Sequence, residues 1–151
     1  MIDVRHEAPD SPASQALFGE YMDLVSERAG ENFDSAEHIF ATTDVFSGPG
    51  GAWLVMYDER PVACGGLRRL SPDVGEIKRM FVTARARRQG YAGRLLAELE
   101  GIARAAGQAR IRVLSTELLP EALALYRKHG YTIISTHMEQ GHRDYWLEKP
   151  L

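Results

Sequence analysis

The apolar residues Ala92, Leu95, Leu96, Leu99, Ile102, Ala103 and Ala106 recur at the spacing of one helical face and stop at Gly107. That pattern dictates an amphipathic helix in the second half of the chain. The runs on either side have a different character. Val74 to Thr83 reads as a strand, and Arg110 to Leu114 alternates as another. A strong helix set between strands restricts the chain to folds that combine both elements in one core.

The remaining segments extend the pattern. Met1 to Glu7 alternates Ile2, Val4 and His6 against Asp3 and Arg5, as a short strand does. Ser11-Pro12 supplies an N-cap and a proline for the first helical position. Leu17, Tyr21, Leu24, Val25 and Arg28 then share a face up to Gly30. Glu31 to Ala41 is expected to form a shorter helix, and Phe46 to Gly51 is turn chemistry that leads into a strand. Ala52 to Tyr57 and Val62 to Leu70 are β-rich runs joined by Asp58-Glu59-Arg60-Pro61, the composition of a hairpin. Pro120 opens a helix that ends at Gly130, Tyr131 to Ile134 returns to strand, and Asp144 to Leu147 is expected as the last strand. The order β-α-α-β-β-β-α-β-α-β-β, without repeats or linkers, implies one mixed-sheet α/β domain spanning 1–151.

Composition bounds the function. The chain has 151 residues, 44% of them hydrophobic, which suits one buried core. No apolar run reaches the roughly 18 residues needed to cross a bilayer, and the first residues lack a signal peptide's apolar core. A soluble, cytoplasmic protein without membrane association is expected. The single Cys64 lies in an apolar stretch and reads as a core thiol. A net charge of -3 argues against nucleic-acid binding. The distribution says more: Ile77 through Arg94 carries six basic residues and no acid, whereas the first forty residues hold nine acids against Arg5 and Arg28. A local anionic ligand follows from that asymmetry.

That ligand has an evident seat. The segment from Thr83 through Arg87, Arg88, Gln89, Gly90, Tyr91, Ala92, Gly93 and Arg94 links a strand to the strong helix, where unpaired N–H groups and the positive end of the helix dipole converge. Gly90 and Ala92 let phosphate oxygens approach the backbone, and Arg87, Arg88 or Arg94 can add charge-assisted hydrogen bonds. The spelling is neither that of a nucleotide P-loop nor that of a dinucleotide fold. The competing reading is that the arginines solvate a loop and the small residues serve helix packing.

Arg87-Arg88-Gln89-Gly90-Tyr91-Ala92 resembles the R/Q-x-x-G-x-G/A pyrophosphate signature of the GNAT acetyltransferases. Gly75 to Val82 is similar to the strand that precedes this loop in the family. Ala122 to Tyr131 resembles the later A-x-x-L-Y-x-x-x-G-[FY] element. The resemblance implies a central, mostly antiparallel sheet flanked by about four helices, with acetyl-CoA as co-substrate and no metal. Two positions depart from the pattern: Leu119 stands where many members have asparagine, and Ala92 where many have glycine.

The resemblance also implies roles. Met80, Phe81 and Val82 would pair with the cofactor's pantetheine arm like an added strand, and residues 88 to 94 would hold its pyrophosphate. An alkylammonium cannot attack a thioester until it loses a proton, and Glu76 stands where several members place their base. Its plainer reading is a salt bridge with Lys78 or an arginine. Tyr126 would protonate the leaving thiolate, or else complete the core as an ordinary phenol. The expected activity is acetyl transfer to a primary amine of a small molecule or peptide, with homodimerisation left open; a non-catalytic coenzyme-A sensor is the alternative.

His6, His38, His129, His137 and His142 lack zinc-site spacing, and no acyl-serine motif occurs. His137 and His142 flank the expected last hairpin and are expected to be solvent-exposed, with contact to the substrate left open. The acids Glu27, Glu31, Asp34 and Glu37 fall where the family's acceptor channel lies, which suggests a cationic amine, or simply a solvated helix face.

Overall fold

The computed structural model describes residues 1–30, 43–139 and 141–151. Seven strands form one sheet: β1 (Asp3–His6), β2 (Ala52–Tyr57), β3 (Pro61–Ser71), β4 (Val74–Val82), β5 (Arg110–Thr116), β6 (Thr132–Glu139) and β7 (His142–Pro150). Among the described residues three α-helices flank it: α1 (Pro12–Ala29), α2 (Tyr91–Ala105) and α3 (Pro120–Lys128). The strand order is β1-β2-β3-β4-β5-β7-β6, with β4 and β5 parallel and the other described pairs antiparallel. The expected short helix over Glu31–Ala41 lies outside the described residues.

Local chemistry accounts for the helix limits. Ser11 caps α1, its Oγ accepting from the Ser14 N–H at 3.1 Å with Pro12 in the first turn. Gly30 closes it at φ 71, its N–H donating to the Ser26 carbonyl at 2.9 Å. Both faces of the sheet centre are covered, so β2 reads as continuously apolar. Its Leu54 and Met56 join the cluster under α2, with Leu67, Ile77, Leu95 and Leu99. Its Trp53 and Val55 join the opposite cluster with Leu17, Phe46, Cys64 and Phe81. Trp53 Nε1 donates to Ser14 Oγ at 2.9 Å, which ties α1 to that second face.

The last hairpin is longer than expected. β6 runs to Glu139 and β7 starts at His142, with Thr136 opposite Tyr145 and His137 opposite Asp144. β6 is an edge strand exposed along its whole length, so it carries polar residues where apolar alternation was expected to mark a strand.

Candidate active site

β4 and β5 are joined by four register pairs only, Val74–Ile77 against Arg110–Val113. Beyond them β4 stays with β3 as far as Val82, while β5 stays with β7 as far as Thr116. The sheet therefore opens between its only described parallel pair. A register shift on β3 between Cys64 and Gly66 faces a bulge at Arg79, which has φ 57. A non-glycine residue held there is strained, and such strain gathers where a strand must be re-aimed. The bulge turns Lys78 and Arg79 to one face: Lys78 lies 4.0 Å from Glu76, and the Arg79 guanidinium lies over the Phe18 and Phe46 rings. Met80 consequently returns to the α2 cluster, next to the opening. Beneath the bulge Cys64 is fully buried, its Sγ 3.7 Å from the Arg79 carbonyl oxygen, and burial pushes its thiol up to about 12.

A cleft of about 710 Å³ runs from this opening to the start of α2. Met80, Phe81 and Val82 wall one end; Arg87, Arg88, Gly90, Tyr91, Ala92 and Gly93 wall the other. Gly90 is the N-cap of α2 at φ 78 and supplies no side-chain oxygen, so the first-turn N–H groups are left for a ligand. Arg88 just before it is also left-handed, at φ 64. Arg87 is fixed by donation from Nε to the Val82 carbonyl at 3.3 Å. A Cβ on Gly93 would come within 3.1 Å of His129 Nε2, so its bareness lets α3 approach α2. Gln89 and Arg94 belong to the same segment but do not line the cleft.

A second cavity, about 290 Å³, abuts the first. The two share Tyr21, Met80, Leu119, Ala122 and Tyr126. Leu119, where asparagine was the family expectation, is buried and starts α3 without a side-chain cap. Tyr126 is held by packing. Its ring meets Tyr131 edge-on at 5.7 Å, and Tyr131 is anchored by donation to Glu100 Oε2 at 2.8 Å, which Lys149 also contacts at 3.1 Å. Burial first, and the neighbouring Tyr21 second, raise the Tyr126 pKa, so the phenol keeps its proton at neutral pH. Burial, then the charge of Asp144, also raises Tyr21.

Glu76 lies elsewhere. It is 3% exposed, accepts a hydrogen bond from Arg68 Nε, and lines neither cavity. Its register neighbours are Arg68 on β3 and Arg112 on β5, and Arg112 Nε donates to Glu148 Oε2 at 2.7 Å. The result is a row of alternating charge across four strands, with Glu76 as a member of that row. Of the early acids, Glu27 is exposed and lines neither cavity; Glu31, Asp34 and Glu37 lie outside the described residues.

The sequence reading favoured solvent exposure for His142 and gave Asp144 no role beyond its strand; both line the smaller cavity with Glu139. The His142 side chain is 13% exposed, contrary to the solvated position expected of it, whereas His137 is 42% exposed. The available signal was their spacing: residues two apart in a strand share a face. Among the described residues no His, Cys, Asp and Glu side chains form a group of three suited to a metal ion, and no helix is long and apolar enough to cross a membrane.

A sheet opened beside an uncapped, arginine-flanked helix start is geometry suited to an anionic ligand, and the family comparison gives it a class. The chain belongs to the acetyltransferase (GNAT) family, whose model matches residues 15–131. It is 34% identical over 91 residues to the uncharacterized N-acetyltransferase YjgM of Escherichia coli (strain K12), a match covering 58% of this chain and 54% of that protein. The chain thus spans about half the length of that relative. Its fold superposes on a GNAT family acetyltransferase from Staphylococcus aureus Mu50 with a TM-score of 0.81 at 16% identity, covering 100% and 99% of the two chains. A GNAT family acetyltransferase from Elizabethkingia anophelis, solved with acetyl-CoA bound, gives 0.70 at 17% identity, covering 99% and 98%.

Proposed function

We propose that the protein transfers an acetyl group from acetyl-CoA to a primary amine of a small molecule or peptide by direct attack. The observation that carries this reading is the junction at Met80 and Tyr126, where a long cleft ending at a helix start abuts a second cavity. The residues present suit the cofactor. Free N–H groups at the α2 start, aided by Arg87 and Arg88, receive the pyrophosphate. The unpaired edge of β4 at Met80–Val82 receives the amide-bearing arm as an extra strand. Acetyl-CoA supplies a thioester whose acyl carbon accepts the amine nitrogen as the carbon–sulfur bond breaks. Tyr126, protonated and set at the junction, gives its proton to the departing sulfur. Glu76, the base implied by the resemblance, is turned toward Arg68, and its role as base has no support from its surroundings.

A screen of amines and peptides with acetyl-CoA, reading thiol release, tests the activity. Acetyl-CoA binding without turnover for any acceptor would reduce the protein to a coenzyme-A sensor; neither binding nor turnover would remove the reading. Because main-chain donors carry the pyrophosphate, Arg88→Ala weakens acetyl-CoA binding only modestly, by about 1–2 kcal/mol. Titration calorimetry measures it, and complete loss of binding would assign the site to the guanidinium instead.

A further inference from the structure

The smaller cavity holds a pair of groups that the reaction above has not used. His142 and Asp144 stand two apart on β7 and turn into the same cavity, with His142 Nε2 3.3 Å from Asp144 Oδ1. That is ion-pair distance without hydrogen-bond alignment: Asp144 Oδ1 is buried and has no hydrogen-bond partner among the described residues. Asp144 as a residue is only 8% exposed. A buried carboxylate oxygen without a donor is costly, and a cavity that presents one suits a ligand able to donate. An alkylammonium brings three donors and the opposite charge.

Resting on the acetyltransferase reading, we propose that His142 and Asp144 recognise and deprotonate the acceptor, which is a small primary amine that arrives as its ammonium ion. Asp144 Oδ1 accepts a hydrogen bond from the ammonium. His142 Nε2, 3.3 Å from that oxygen, takes the first proton, and the resulting imidazolium pairs with Asp144. The nitrogen lone pair then bonds to the acyl carbon, and the carbon–sulfur pair leaves with sulfur. The second nitrogen proton replaces the one that Tyr126 gives to the sulfur, and His142 returns its proton to solvent, so one proton is released per turnover. A volume of about 290 Å³ sits at the small end of ligand pockets and suits a small amine. Among the described residues, the charged and titratable groups facing the pair are Tyr21 from α1, Arg79 from β4, Tyr126 from α3, and His137 and Glu139 from β6.

The test uses the full chain and the acceptor returned by the amine screen. Asp144→Asn raises the KM for the amine about tenfold or more and leaves the KM for acetyl-CoA unchanged. His142→Asn lowers kcat at neutral pH by about 10–10²-fold and removes the acid limb of the pH–rate profile, with partial recovery as rising pH frees the amine. Equal effects on both KM values, or an acid limb that follows Glu76→Gln instead of His142→Asn, would overturn the proposal. A measurement on the wild type covers the case of a variant that fails to fold. Titration with n-propylammonium chloride is expected to shift the His142 imidazole resonances, and sodium propionate is expected not to. No shift with the cation, or equal shifts with both, would also overturn it. Absence of acetyl-CoA binding in the wild type would instead strike at the acetyltransferase reading itself.

Discussion

Ala92→Glu removes most of the stabilisation by acetyl-CoA and leaves the apoprotein at least as stable as the wild type. Ala92 lies in the first turn of α2, which has no acidic residue there and no side-chain cap at Gly90. A carboxylate in that turn interacts favourably with the helix dipole, by about 0.3–1 kcal/mol, so the empty protein gains slightly. The same carboxylate occupies the place offered to a pyrophosphate and repels it. Affinity is expected to fall by about 10²-fold, and at a ligand concentration of about 100 Kd the wild type's gain of about 2.7 kcal/mol largely disappears. Gly90→Glu would be a poorer variant, because φ 78 at Gly90 strains any side chain. Melting curves with and without acetyl-CoA decide the matter: equal shifts in both proteins would move the anion away from the helix start.

Tyr126→Phe slows acyl transfer by about 10²-fold while acetyl-CoA binds as before. The substitution removes one hydroxyl and keeps the ring that packs edge-on against Tyr131, so little of the fold is at stake. The size of the effect follows from chemistry. A thiolate leaving beside Tyr126 meets a donor at the junction itself, because the phenol whose pKa burial has raised still carries its proton there. Single-turnover rates read beside cofactor affinity separate the two steps. Transfer at the wild-type rate would make Tyr126 a packing residue and leave the thiolate to another donor.

Features carried by short stretches of chain were legible in the sequence. Ser11-Pro12 and Gly30 mark α1 because caps are local, and the Leu95–Leu96–Leu99 stripe marks α2 because helical period is local. The turn from Arg87 to Gly93 into α2 was legible for the same reason: the strand, the short loop and the helix start that make it are all local in the chain. Side-chain direction at Glu76 was not. Which face of β4 meets the opening depends on where β5 departs after Ile77 and on the bulge at Arg79, and that bulge is set by the register of β3 across Gly65. His142 and Asp144 were obscured by a related cause. Their shared cavity is completed by Tyr21 and Tyr126 from two helices remote in sequence, so a hairpin that looked peripheral turns one face inward.

Cys64 gives the molecule an internal clock. With its thiol fully buried and pushed up to about 12, the folded protein presents almost no thiolate at neutral pH, and an alkylating reagent reacts only during openings that expose this residue. Cys64 packs with Leu17, Phe46 and Phe81 and sits against the Arg79 carbonyl of the bulge, so an opening that exposes it parts the α1 face of the sheet beside the cleft wall. Maleimide labelling therefore counts how often that face comes apart, and acetyl-CoA laid along β4 slows the count in proportion to its occupancy; labelling indifferent to saturating acetyl-CoA would uncouple the bulge from the ligand.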